Sequence, residues 1–76
     1  MSAEYLQSAL RRVSGTTLDA QGAANVWAGT TGLDLLGALN AKAGNTAGNK
    51  RDLLGVLNQL AGTTGLDVNG AAGALI

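Results

Sequence analysis

Leucine and alanine recur along this chain in short clusters, separated by Gly- and Thr-rich punctuation. Between 33 and 43 the apolar positions are Leu33, Leu35, Leu36, Ala38, Leu39, Ala41 and Ala43. Between 53 and 61 they are Leu53, Leu54, Val56, Leu57, Leu60 and Ala61. Each set covers more than half of a helix circumference, whereas a surface helix shows one apolar stripe. Both segments are therefore expected to be central helices, contacted on two sides. The flanking segments are lighter, with Ala20, Ala23 and Ala24 in one and Ala71, Ala72 and Ala74 in the other, which predicts close helix approach there. Together the pattern predicts an all-α fold of about five short helices, near 3–13, 18–28, 32–43, 50–61 and 66–74, in a single domain spanning 1–76.

The same unit is written several times. Leu18-Asp19, Leu33-Asp34, Arg51-Asp52 and Leu66-Asp67 open successive copies at offsets of 15, 18 and 15, so a three-residue insertion precedes the third. Such repetition usually marks a scaffold or a contact surface. Gly29, Gly44 and Gly62 fall where a helix must end in a left-handed residue. Gly29-Thr30-Thr31-Gly32 and Gly62-Thr63-Thr64-Gly65 form the turns, with Ser14-Gly15-Thr16-Thr17 as a relaxed version. Thr31 and Thr64 read as N-caps, with Asp34 and Asp67 three residues on completing a shortened capping box. Thr16 with Asp19, and Asn49 with Asp52, make the same arrangement.

Two further positions repeat inside the helices. Gly22, Gly37, Gly55 and Gly70 are equivalent, and are expected to permit close helix packing. Asn25, Asn40 and Asn58 are equivalent too, with Gly73 in the last place. Asn is mildly unfavourable within a helix, so its recurrence needs a reason. The expected one is that each amide bonds to backbone groups of an adjacent turn; the competing reading is a solvated outer face.

Composition narrows the chemistry. A chain of 76 residues makes a marginal domain by itself, and its aromatic share is only 3%, from Tyr5 and Trp27. A core rich in Ala removes little apolar area from water, so completion by neighbours is expected. Cys, His and Pro are absent. That removes Ser-His and Cys-His relays and nearly excludes zinc. Four of the five acids sit at the cap position and Glu4 is the fifth, so no carboxylate pair is set aside for acid–base work. No Lys follows the Gly-rich turns, as a phosphate loop would need. No catalytic residue, cofactor, metal or small-molecule substrate is expected. The net charge of +0 gives little drive toward nucleic acid or an anionic membrane, although Arg11-Arg12 and Lys50-Arg51 form two basic pairs. The first residues lack the basic region and apolar core of a secretion signal.

Trp27 has two readings, an anchor for helix packing or an exposed anchor for a partner. Leu75 and Ile76 make an apolar end, and join Trp27 as candidate interface residues.

The strings from Asn25 to Leu33 and from Leu57 to Leu66 resemble a repeat of small virion proteins, and of the ends of some minor tail proteins, in tailed bacteriophages of actinobacteria. The resemblance extends over about residues 14–76. It implies a structural protein in head or tail, present in many copies, with other virion proteins as partners. It also implies location in the virion after assembly in the host cytoplasm. It carries over no catalytic residues. Two other readings remain: a nucleic-acid-binding module using the basic pairs, and a small adaptor that takes a partner helix in an apolar groove.

Overall fold

The computed structural model describes residues 3–76 and, among them, is built from helices and turns. The helices are α1 (Ala3–Ser14), α2 (Ala20–Ala28), α3 (Leu35–Ala43), α4 (Leu53–Ala61) and α5 (Val68–Leu75). Each packs on the next in sequence, and α5 packs back on α1. The result is a closed ring measuring 30 × 25 × 17 Å.

The core is a set of adjacent residue pairs, one from each helix. Ala9-Leu10, Ala23-Ala24, Ala38-Leu39, Val56-Leu57 and Ala71-Ala72 are buried, with Leu6 beside them. In α2 to α5 the pair lies four and five residues beyond the helix-opening Asp. The larger side chains come from α1, α3 and α4, while α2 and α5 contribute only Ala. The expected distinction between central and outer helices does not hold. Closure of the ring gives every helix two neighbours. The wide apolar arcs of α3 and α4 have another cause, since Leu36 and Leu54 point outward and are exposed.

The helix starts also differ from expectation. Asp19, Asp34, Asp52 and Asp67 are themselves the N-caps, and the helices begin one residue later. Each Asp is extended, with φ between −66° and −76° and ψ between 172° and 178°. Its Oδ1 accepts from the backbone N–H of Gly22, Gly37, Gly55 or Gly70 at 2.6–2.8 Å. Thr31 and Thr64 are exposed and cap nothing, because the next residues, Gly32 and Gly65, are left-handed at φ +73° and no helix runs through them. The Thr16 hydroxyl lies 3.1 Å from that of Ser14 instead. Asn49 donates its backbone N–H to the Thr46 carbonyl within the long turn.

The helix glycines serve these caps rather than helix crossing. A Cβ at Gly37 would lie 2.8 Å from Asp34 Oδ1, and one at Gly55 would lie 3.0 Å from Asp52 Oδ1. At Gly22 and Gly70 the nearest obstacles are likewise the local Asp and the Leu before it. At each of these four positions the three nearest atoms belong to the local Asp or to the residue before it, none to a neighbouring helix. The Asp cannot simply swing aside, since its oxygen is fixed by the glycine's own N–H.

These contacts predict non-additive stability. Asp34→Ala should cost about 0.5–2 kcal/mol, the usual loss for an N-cap. Thr31→Ala should stay within about 0.5 kcal/mol, as for surface changes generally. Gly37→Ala should destabilise the wild-type protein although Ala is the better helix former by up to about 1 kcal/mol. In the Asp34→Ala background the same substitution should stabilise. Urea unfolding of the single and double variants reads the coupling, and simple additivity would separate the glycine from the cap.

Candidate functional site

Three joints link successive helices, and each is organised by one buried Asn. Asn25 Nδ2 donates to the carbonyls of Gln21 (2.9 Å) and Leu33 (2.8 Å). Its Oδ1 accepts from the Thr30 hydroxyl (2.8 Å) and the Leu33 N–H (3.2 Å). Asn58 repeats this with Leu54, Leu66 and Thr63 at 2.9–3.1 Å. Asn40 does the same with Leu36 and Arg51, at 2.9–3.0 Å, while Asn45 Nδ2 takes the place of the Thr hydroxyl. Every donor and acceptor of the amide is used. Both backbone groups of the residue before the next cap are held, so the following helix starts at a fixed place.

The preceding helix ends by a repeated closure. Gly29, Gly44 and Gly62 are left-handed, at φ 73° to 80°. The N–H of the next residue returns to the carbonyl of Asn25, Asn40 or Asn58 at 2.9 Å, which satisfies an end-of-helix carbonyl.

At a fourth joint, whose turn Ser14-Gly15-Thr16-Thr17 the sequence marks, the organising side chain escaped the sequence reading. The Arg11 carbonyl accepts from the Gly15 and Thr16 N–H groups, as the Asn carbonyls accept from theirs. Arg11 Nε then donates to the Leu18 carbonyl at 2.6 Å, doing half of the Asn work. Gln7 Oε1 accepts from the Ala20 N–H and so helps to fix the start of α2. Helix α1 is thus a degenerate first unit. Its signal is Ala9-Leu10-Arg11 followed by Ser14-Gly15-Thr16-Thr17-Leu18-Asp19, a buried pair and a turn in the same order as in later copies. At the other end, Gly73 stands where Asn would be. A Cβ there would lie 3.0 Å from the Tyr5 hydroxyl, so the glycine leaves room for α1 to close the ring.

The surface carries what remains for contact. Trp27 is partly buried against the core, and Lys42 Nζ lies 5.1 Å from its ring centroid. A cation held this way over an indole adds about 0.5–1 kcal/mol at an exposed site. Leu75 also packs partly on the core, whereas Ile76 is 53% exposed. Leu18, Leu33 and Leu66, each just before a cap, are exposed, as are Leu36 and Leu54 two residues after one. Leu53, Leu54 and Val68, with Asp52 and Asp67, line a cleft of about 440 Å³ between the starts of α4 and α5.

Among the described residues, no three acidic side chains gather as a metal site. No helix of the described chain is long and apolar enough to cross a membrane. What the arrangement offers is apolar contact area, with charges beside it, on rigid turns.

Replacing a joint amide should therefore be costly. Asn58→Leu leaves the Leu66 N–H and C=O without their partners, and should cost at least about 2 kcal/mol in urea unfolding. Arg11→Met removes one exposed bond and should cost under about 1 kcal/mol. An equal loss from both would mean that burial of the amide is not what matters. No family model matches this chain, and no curated protein or solved structure matches it.

Proposed function

We propose that this chain is a structural protein of a bacteriophage particle, a small helical module that binds capsid or tail proteins in many copies. The observation that carries the reading is where the resemblance to virion repeats falls. The string from Asn25 to Leu33 and that from Leu57 to Leu66 are two of the joints, running from the clamping Asn to the residue it clamps. The likeness therefore rests on architecture and not on a reactive group. Exposed leucines at equivalent places in successive units support the same reading, because partner proteins are their natural cover. The four Asp side chains are engaged as caps, which leaves contact as the business of this surface.

A nucleic-acid role draws less support. Arg11 of the first basic pair is engaged with the Leu18 carbonyl, and Asp52 directly follows the second pair.

Mass spectrometry of washed phage particles, set against isolated capsids and tails, tests the proposal. The chain should be recovered with one of the two fractions, in many copies per particle. Its absence from washed particles would overturn the assignment. Retention on DNA that falls steeply with salt would point to the nucleic-acid reading in its place.

A further inference from the structure

We propose that Asn69-Gly70 is a site of self-modification, where opening of α5 is recorded as the irreversible conversion of Asn69 to aspartate or isoaspartate. The inference stands apart from the particle assignment, because it concerns this chain alone.

The repeat forces the pair on this helix. Each cap needs a glycine three residues after its Asp, and at Gly70 a Cβ would lie 3.1 Å from Asp67 Oδ1. The residue before that glycine is free to vary, being Gln21, Leu36 and Leu54 in α2, α3 and α4. In α5 it is Asn69, and no other Asn of the chain is followed by Gly. A following Gly leaves the peptide nitrogen unscreened by a side chain, so that it can approach the amide carbon of the Asn. Asn69 also gains little from its place. It is half-buried, and its Oδ1 is shielded from solvent with no hydrogen-bond partner. The amides of Asn25, Asn40 and Asn58, by contrast, are bonded through both oxygen and nitrogen.

In the reaction Gly70 N gives up its proton to hydroxide, and its electron pair bonds to Asn69 Cγ. The Cγ–Nδ2 bond breaks, and that nitrogen takes up a proton and leaves as ammonia. Water then opens the cyclic imide. Addition at Cγ leaves aspartate. Addition at the main-chain carbonyl carbon leaves isoaspartate, with the backbone rerouted through the side chain. The closed ring blocks the first step twice. Gly70 N–H is donated to Asp67 Oδ1 at 2.7 Å, and that carboxylate opposes a second negative charge on the nitrogen. The helical backbone of Val68–Leu75 also holds ψ of Asn69 away from the rotation that imide closure needs. Both blocks vanish when α5 opens. It is the least anchored of the capped helices: it is the shortest, gives only Ala71 and Ala72 to the buried core, and has Gly73 in place of a joint Asn. A helix held so lightly opens before the whole fold does. Isoaspartate adds a backbone atom ahead of Gly70, so the spacing of the Asp67 cap is lost and the opening becomes permanent.

Mass spectrometry of the full chain incubated at mildly alkaline pH tests the site, with peptide fragmentation locating the change. The wild-type chain should deamidate at Asn69 at least about tenfold faster in urea than when folded, since the folded rate follows the open fraction of α5. Asp67→Ala should speed the folded chain about fivefold or more, the change in open population that loss of an N-cap brings. Leu75→Ala leaves that cap in place but loosens the far end of α5, and should speed the reaction as well. Asp34→Ala removes the cap of α3 and should leave the rate near wild type. Circular dichroism checks that each variant is folded. Should Asp67→Ala fail to fold, Leu75→Ala against Asp34→Ala carries the same comparison. The isoaspartate form, separated by chromatography, should unfold at lower urea than the unmodified chain. Equal rates in folded and unfolded wild type would overturn the proposal, as would an Asn69 left intact in urea. So would equal acceleration by Asp34→Ala and the α5 variants, or an isoaspartate form as stable as wild type.

Discussion

A buried Asn amide with all its hydrogen-bonding positions occupied is the interaction on which this structure depends. The helices have eight to twelve residues, a length at which isolated helices are marginal in water. The core between them is largely Ala, with Leu or Val from only three helices. Apolar burial of that kind favours compaction but discriminates poorly among helix arrangements, because small side chains interlock weakly. The amides supply the discrimination. Each requires one carbonyl a turn back in its own helix and both backbone groups of one residue ahead. A fully satisfied polar network of this sort rigidifies a core, whereas a shifted register would strand its members.

The joint works in series with the cap. Asn fixes the residue before Asp, Asp fixes the third residue of the new helix, and a left-handed Gly closes the helix at its far end. The cap explains a glycine inside each of α2 to α5, where propensity alone would disfavour one. The same chain of constraints holds Leu33, Arg51 and Leu66, each just before an Asp, in place. Structure and surface are therefore coupled: the residues that make the ring rigid also determine where its exposed apolar side chains sit.

Much of this was legible in the sequence, and the rest failed for identifiable reasons. The number of helices follows from the apolar clusters, and the left-handed Gly29, Gly44 and Gly62 follow from their spacing. The repeated Asn pointed to turn bonding because an interior Asn needs a partner. The helix starts were misplaced because Thr and Asp are both good N-caps, and the decision lies with Gly32 and Gly65 being left-handed, which composition does not fix. The role of Gly37 depends on where a Cβ would point relative to Asp34, a matter of three-dimensional geometry. Outward Leu36 and Leu54 made α3 and α4 look doubly buried. The role of Arg11 at the first joint was hidden because a different side chain, in a turn one residue shorter, does part of the Asn's work. The exposed face was invisible for a more general reason: burial has to be known before an apolar residue can be called spare.

The joint at Asn40 has a consequence for how such a chain can change length. Asn25 and Asn58 reach eight residues ahead, whereas Asn40 reaches eleven, and the geometry at its amide is the same. The three additional residues leave the helices on either side in register, and Asn45 pairs with Gln59 across the lengthened turn. The insertion thus lies in a segment that the amide spans, with Asn45 of that segment bonded to it. A peptide tag grafted at the exposed residues 46–49 of that turn would be carried on the outside of the ring.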